Sequence, residues 1–208
     1  MLLSLEEGRL LVHLARQSVE HYFRSGGGVL EPPANVPDKL REKRGVFVTI
    51  NSVLDDQREL RGCIGFPYPI YPLVEATIKA ALSSAFEDPR FPPLREDELD
   101  HVVFEVSVLT PMKKLEVKDP REYPKHIVIG RDGIVIRRGY SAGLLLPQVP
   151  VEEGWDAETF LVYGCLKAGL PPTAWLEPGT EVYTFSAQVF EEERPRGPVR
   201  IKEGVRCA

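Results

Sequence analysis

Short turns between strand-like segments most constrain the fold of this chain. Gly45–Asn51 is rich in β-branched and aromatic residues, and the apolar segment Glu59–Phe66 follows it after a polar turn. Ile127–Gly130 and Ile134–Arg137 flank Asp132-Gly133, and Asp-Gly favours a tight hairpin turn. Because turns this short join antiparallel strands, the pattern predicts two hairpins.

Three amphipathic segments alternate with these strands. Ser4 and Glu7 fit a capping box ahead of an apolar stripe that ends at glycines 26–28. A second helix is predicted from Leu73 to Ala85, and a third from Trp155-Asp156 to Gly169. Helices interspersed with hairpins, without regular βαβ alternation, predict an α+β fold with a largely antiparallel sheet and flanking helices.

Composition excludes several classes of function. The 208 residues are 43% hydrophobic and carry a net charge of −5, which is typical of a soluble globular protein. Neither half is basic, so no nucleic-acid partner is predicted. No apolar run approaches the roughly 20 residues that span a bilayer. Glu6, Glu7 and Arg9 interrupt any signal-peptide pattern, so we expect a cytoplasmic protein without a membrane partner.

The metal-ligating residue types are scattered. The three cysteines are Cys63, Cys165 and Cys207, an odd and widely spaced set that does not form a disulfide framework. Four histidines lie far apart, and neither a CxxC pair nor an HExxH motif occurs. No metal and no cofactor are therefore predicted. Cys165 lies within a predicted helix and is expected in the core.

The hexapeptide Leu60-Arg-Gly-Cys-Ile-Gly65 holds the first candidate site residues. Cys63 lies close to Arg61, and a neighbouring guanidinium favours a thiolate. Gly62 and Gly65 lie inside a predicted strand, where glycine marks a bulge or a close backbone approach. The alternative is that Cys63 is a small buried residue of the strand, since cysteine is among the most buried residue types.

Further candidates lie downstream. Asp88 and Arg90 flank Pro89 just after the second helix and are expected near each other, either as a salt-bridged turn or at the rim of a site. Glu105 lies inside an apolar strand, on a solvent face or as a placed carboxylate. Gln148 ends a short predicted strand, where its amide can face a cleft.

The motifs resemble those of the AMMECR family. The hexapeptide matches the family's hallmark, and other blocks follow in order along nearly the whole chain. These blocks are Ala85–Pro93, Glu105–Pro111, Gly143–Val149, Trp155 with Phe160-Leu161, and Cys165–Leu170. Val149–Trp155 departs somewhat from the expected letters ahead of the tryptophan.

The resemblance implies a single domain over residues 1–191, with two intimately packed subdomains around a cleft. We expect subdomains at 1–115 and 116–191, and a polar tail at 192–208. Related domains are encoded beside, or fused to, a Memo-like protein and a radical S-adenosylmethionine enzyme. The resemblance thus implies a partner of one of these kinds and a shared pathway, but no reaction.

Two classes of function remain open. In the first, the domain is a binding or adaptor module for a small ligand or partner, with Arg61 as its anchor. In the second, it is an enzyme or enzyme component. Cys63 is then the nucleophile, Glu105 the acid–base partner and Gln148 an oxyanion or orienting donor. Asp88 and Arg90 then shape the rim, and Gly62 and Gly65 let a small molecule approach.

Overall fold

The computed structural model describes residues 2–55 and 57–202 and divides the chain into two compact units. The first unit runs to Leu109 and also contains Gln188–Lys202, and the second comprises Thr110–Ala187. The division after Leu109 lies near the expected one at residue 115. The expected second subdomain also included residues 188–191, which instead belong to the first unit because the chain returns to its sheet.

A five-stranded sheet forms the centre of the first unit. Its strands are β1 (Val46–Leu54), β2 (Gln57–Phe66), β3 (Val102–Leu109), β8 (Ala187–Glu192) and β9 (Val199–Ile201). Their order is β2-β1-β3-β8-β9, and β1 pairs antiparallel with both β2 and β3. The predicted first hairpin is therefore confirmed, and β2 lies at one edge of the sheet.

Two long helices cover one face of this sheet. Helix α1 (Leu5–Ser25) begins at the predicted Ser4 capping box and ends at Gly26, which is left-handed with φ 70°. Helix α2 (Leu73–Phe86) packs against β1 and β2. The core between helices and sheet includes Leu11, Val12, Ile78, Ala81, Val46, Val48, Ile50, Phe104 and Val106. The residues that alternate with these along each strand lie on the opposite face of the sheet.

The second unit has its own sheet and core. Its strands are β4 (Lys113–Lys114), β5 (Gly133–Arg138), β6 (Ser141–Leu145) and β7 (Glu181–Phe185), in the order β4-β7-β5-β6. The short helix α3 (Val149–Glu152) is followed by α4 (Ala157–Lys167), whose N-cap is Asp156. The core includes Ile134, Ile136, Phe160, Leu161, Trp175 and, as predicted, the fully buried Cys165.

The predicted hairpin around Asp132-Gly133 is wrong. Ile127–Gly130 forms no strand, and β5 pairs instead with β6 and β7. The buried Asp132 carboxylate accepts hydrogen bonds from the Val128 backbone N–H at 2.8 Å and from Arg131 at 2.7 Å. The aspartate thus fixes the loop that precedes β5 rather than a two-residue turn.

The C-terminal segment also differs from the sequence-based expectation. The strand-like sequence of Thr180–Glu191 is divided between β7 and β8, which belong to different sheets. The expected tail begins at residue 192, whereas Val199–Ile201 forms β9 and pairs with Phe190–Glu192. Arg200 of β9 and the adjoining Lys202 form salt bridges with the buried Glu191 carboxylate. The polar sequence of this segment does not predict these contacts. Cys207 lies outside the described residues.

These elements confirm the predicted α+β class with antiparallel sheets and flanking helices. Along the described part of the chain, no helix is long and apolar enough to cross a bilayer.

Candidate functional site

Arg61 is the extra residue of a β-bulge. Ile50 pairs with Gly62 and Asn51 pairs with Leu60, which leaves Arg61 without a partner on β1. A bulge of this kind bends the strand and re-aims a side chain. The glycine-containing strand pattern in the hexapeptide therefore reports a real irregularity of β2.

The Arg61 guanidinium is held within the protein. Its Nε and Nη2 donate to the two Glu98 carboxylate oxygens at 2.8 and 3.1 Å. Nη1 and Nη2 also donate to the Pro92 and Pro93 carbonyls at 2.9 and 3.3 Å. Because its planar guanidinium makes all four of these hydrogen bonds, Arg61 has a structural role and links β2 to the segment that follows Asp88-Pro89-Arg90. This arrangement does not favour the predicted role of Arg61 as a ligand anchor.

The two glycines of the hexapeptide make room for the protein itself. A Cβ at Gly62 would lie 2.1 Å from the Ser84 carbonyl oxygen of α2. A Cβ at Gly65 would lie 2.3 Å from the Val46 carbonyl oxygen. The Ser84 hydroxyl also accepts from the Ile64 N–H at 2.8 Å and donates to the Val48 carbonyl at 2.7 Å. Helix packing and strand pairing therefore account for both glycines.

Asp88 and Arg90 both form hydrogen bonds with the backbone of Cys63. The buried Asp88 carboxylate accepts from the Cys63 N–H at 2.8 Å and from Nη2 of Arg90 at 2.7 Å. The same Nη2 donates to the Cys63 carbonyl at 3.2 Å. These hydrogen bonds, above all those from Arg90, hold the pKa of Asp88 well below its usual range. The structure thus brings Asp88, Arg90 and Cys63 together. Asp88 and Arg90 form a salt-bridged turn that also binds the backbone of the hexapeptide.

Cys63 begins a polar row across three strands. It pairs with Thr49 on β1, and Thr49 pairs with Glu105 on β3. The Thr49 hydroxyl lies 3.3 Å from the partly exposed Cys63 Sγ and donates a hydrogen bond to it. Burial raises the pKa of the Cys63 thiol, and the Thr49 hydrogen bond and the Arg90 charge oppose this effect without overcoming it. The raised pKa favours the protonated thiol over the thiolate, whereas the pKa of an activated nucleophile is lowered.

Glu105 is not on a solvent face. The whole of β3 is buried, and Glu105 is only 6% exposed. Its Oε2 accepts from the Lys202 ammonium at 2.6 Å. Burial opposes protonation of Lys202, yet the Glu105 and Glu191 carboxylates raise its pKa. Glu105 is thus a paired carboxylate rather than an unengaged base.

Gln148 lies in the second unit, at the N-cap of α3 rather than at the end of a strand. Its Oε1 is buried and has no hydrogen-bond partner in the described structure. Among the described residues, no group of three or more His, Cys, Asp or Glu is placed to hold a metal ion.

Several residues of the site were not predicted from the sequence. Thr49 follows from the hairpin register, and Ser84 lies among the small residues near the end of α2, which allow a helix to pack closely. No sequence pattern indicates Glu98 or Lys202, because each contacts the site from a segment that is distant in sequence.

Known proteins resemble this chain along almost all of its length. A protein of Methanopyrus kandleri, MK0488, is 60% identical over 202 residues, which are 97% of this chain and 96% of that protein. A protein of Thermococcus gammatolerans is 60% identical over 198 residues, covering 95% and 96% of the two chains. The crystal structure of the uncharacterised protein PH0010 from Pyrococcus horikoshii matches with a TM-score of 0.84 at 56% identity, covering 95% of this chain and 97% of that one.

The names of these relatives assign no activity. The family model described as AMMECR1 matches residues 12–190, which include the hexapeptide, the Asp88–Arg90 turn and Glu105. The match confirms the resemblance that the motifs indicated. The chain belongs to the AMMECR1 family.

Proposed function

We propose that the protein is a non-catalytic binding domain that recognises a partner through a rigid surface at Leu60–Gly65 and Asp88–Arg90. The observation that supports this proposal is the fixed orientation and the exposure of the Arg90 side chain. Its side chain is 53% exposed, although Asp88 and the Cys63 carbonyl fix its Nε and Nη2. Its Nη1 donates to no described residue, so a preoriented cation faces outward.

The surface also offers an apolar contact. Leu60 is 41% exposed on the strand that Arg90 grips, and the Phe91 ring lies 5.5 Å from the Arg90 guanidinium carbon. Arginine anchors with apolar neighbours are frequent at the centres of protein interfaces. Because the Arg90 side chain is already held in place, little of its conformational entropy is lost on binding. The partner would present a carboxylate to Arg90 and an apolar side chain to Leu60.

The family resemblance makes two partners the first to test, the Memo-like protein and the radical S-adenosylmethionine protein of the same organism. Titration calorimetry with each purified protein would measure the affinity of the wild type, Arg90→Ala, Leu60→Ser and the control Arg95→Ala. Arg95 is also exposed, but it pairs with the exposed Asp97 outside the proposed surface.

We expect Arg90→Ala to weaken binding of one of these partners by at least about tenfold, as loss of an interface anchor does. Leu60→Ser is expected to weaken it too, and Arg95→Ala to leave it unchanged. Circular dichroism of each variant would verify folding. Unchanged affinity in both Arg90→Ala and Leu60→Ser, or no binding of either partner to the wild type, would refute the proposal.

A nucleophilic role of Cys63 is the second candidate function. The thiol is partly exposed and accepts a hydrogen bond from Thr49, and the positive charge of Arg90 acts to lower its pKa. These features favour a thiolate, but burial and the charges of Glu105 and Asp88 outweigh them.

The pH dependence of iodoacetamide labelling separates the two candidates. Mass spectrometry of the peptide that contains Cys63 would follow the labelling rate from pH 6 to 10. Because burial raises the pKa of the thiol, we expect the midpoint above the ordinary ~8.5 of a free cysteine. A midpoint below neutral pH would instead support the nucleophile and count against a purely binding role.

A further inference from the structure

The second unit carries an exposed apolar patch on α3 and α4. Val151, Tyr163 and Leu166 are 57%, 43% and 48% exposed. Trp155 is half-buried and stacks on Tyr163, with ring centroids 3.9 Å apart and ring planes inclined by 10°. Val151 lies in the turn that the Trp155 N–H closes by donating to the Pro150 carbonyl at 2.8 Å. These four side chains, Val151, Trp155, Tyr163 and Leu166, form the α3–α4 patch.

The patch presents its side chains in a fixed arrangement. Tyr163 and Leu166 are three residues apart on α4, so they are neighbours on one face of the helix. The stacked Trp155 ring restricts the Tyr163 ring, so little side-chain entropy is lost when a partner covers it. Aromatic side chains held in this way are frequent anchors of protein interfaces.

The charged residues next to the patch all have one sign. They are exposed acids, namely Glu152, Glu153, Asp156 and Glu158. No lysine, arginine or histidine occurs from residue 139 to residue 166. The Asp156 carboxylate is used as the N-cap of α4, where it accepts from the Thr159 N–H at 2.8 Å. Among the described residues, the three glutamates have no ion-pair partner. An apolar patch rimmed by charged side chains is typical of a protein-binding surface.

We propose that the α3–α4 patch binds a basic amphipathic helix of a partner protein. The apolar face of that helix covers Val151, Tyr163 and Leu166, and its lysine or arginine side chains pair with the three glutamates. The negative rim selects against two other classes of ligand, because anionic lipid surfaces and nucleic acids are both repelled by it. The inference goes beyond the proposed binding function and does not depend on it, since the hexapeptide lies in the first unit.

The test uses a synthetic helix as the probe. A peptide of about 18 residues has leucine on one face and lysine on the other, and a matched peptide has glutamate in place of lysine. Fluorescence anisotropy of each labelled peptide would measure its affinity for the full chain at low and at high salt. Hydrogen exchange would locate the bound peptide, and light scattering would give the oligomeric state of the protein alone.

Three variants separate charge from apolar contact. The charge variant removes the rim charges but keeps the side-chain shapes, by Glu152→Gln, Glu153→Gln and Glu158→Gln together. The apolar variant combines Val151→Ser and Leu166→Ser. The control variant removes the same total charge from exposed positions elsewhere, by Glu31→Gln, Glu96→Gln and Glu116→Gln together. Circular dichroism of each variant would verify folding.

We expect the charge variant to bind the lysine peptide about tenfold more weakly at low salt, as three exposed ion pairs are lost. This difference should fade at high salt, because exposed charges are then screened. The apolar variant should bind about tenfold more weakly at both salt concentrations. The control variant should match the wild type, and the bound peptide should slow hydrogen exchange in residues 149–167.

Four outcomes would overturn the proposal. The first is no binding of the lysine peptide to the wild type, or equally tight binding of the glutamate peptide. The second is equal weakening in the control and charge variants, which would show attraction to the net charge of the protein. The third is slowed exchange only outside residues 149–167. The fourth is a wild-type dimer that the apolar variant dissociates, since a second copy of the chain would then cover the patch.

Discussion

At the scale of single residues, the hexapeptide is held more firmly than its letters suggest. Asp88 shares one buried carboxylate between the Cys63 backbone and the Arg90 guanidinium. Proximity of Asp88 and Arg90 was predictable from the proline between them. Their grip on Cys63 was not, because it depends on where α2 ends relative to β2.

Asp88→Asn should therefore destabilise the protein. The amide keeps the shape of the side chain but loses the charge that binds Arg90, at a cost of about 1–3 kcal/mol, reduced by the partial exposure of Arg90. Urea unfolding at pH 7 would measure it. Asp97→Asn, which changes an exposed acid paired with Arg95, is the control and should have no measurable effect. Equal midpoints for both variants and the wild type would contradict this role of Asp88.

The same carboxyl contributes a pH dependence of stability. Its pKa is lowered in the folded state by Arg90, so its contribution is fully present above the unfolded value of about 3.9 and is lost as the pH falls below that value. The difference in unfolding free energy between wild type and Asp88→Asn should shrink below about pH 4. A difference independent of pH would show that shape, rather than charge, matters at this position.

At the scale of elements, the bulge and the two glycines fit β2 against α2. Strands, helices and the alternation of β3 were predictable, since each follows from a local period of apolar residues. The Asp132-Gly133 hairpin was mispredicted because the aspartate binds the backbone before the turn. The strand β9 was missed because three residues carry too short a pattern to identify.

Gly62→Ala tests the fit of α2 on β2. The new methyl group would overlap the Ser84 carbonyl, a backbone atom that cannot move without its helix, so we expect a loss of at least about 2 kcal/mol. Hydrogen exchange at the Ile64 amide, which donates to Ser84, should accelerate. In the control Gly154→Ala the methyl group meets open space and only the backbone is strained, so exchange at Ile64 should not change. Unaltered exchange in Gly62→Ala would contradict the packing explanation.

At the scale of the whole molecule, the first unit unites both ends of the described chain. Arg16 of α1 donates from Nε and Nη2 to the Glu192 carboxylate of β8, at 2.6 Å each, and to the Leu99 and Val102 carbonyls. Glu192 also accepts from the Phe104 N–H at 3.0 Å. Such long-range partners cannot be read from local patterns, so the sequence alone placed residue 192 in a tail.

Arg16→Met should be among the most damaging single changes. It leaves the buried Glu192 carboxylate without its cation, at a cost of roughly 3–5 kcal/mol in the unfolding free energy. Arg9→Met, which breaks an ion pair between exposed side chains, should cost less than about 1 kcal/mol. Adding Glu192→Leu to Arg16→Met should restore part of the loss, because an apolar pair replaces an unpaired charge. A double variant less stable than Arg16→Met would argue against this explanation.

The turn at Asp88 and Arg90 has one more consequence. The strand β2 lies at the edge of its sheet, and an open edge invites pairing with a strand from another molecule. Here the outward N–H and carbonyl of Cys63 are already occupied by a carboxylate and a guanidinium. An incoming strand would have to displace both groups to continue the ladder. The edge of β2 is thus blocked at Cys63, which opposes edge-to-edge aggregation there and favours a partner that engages the hexapeptide through side chains.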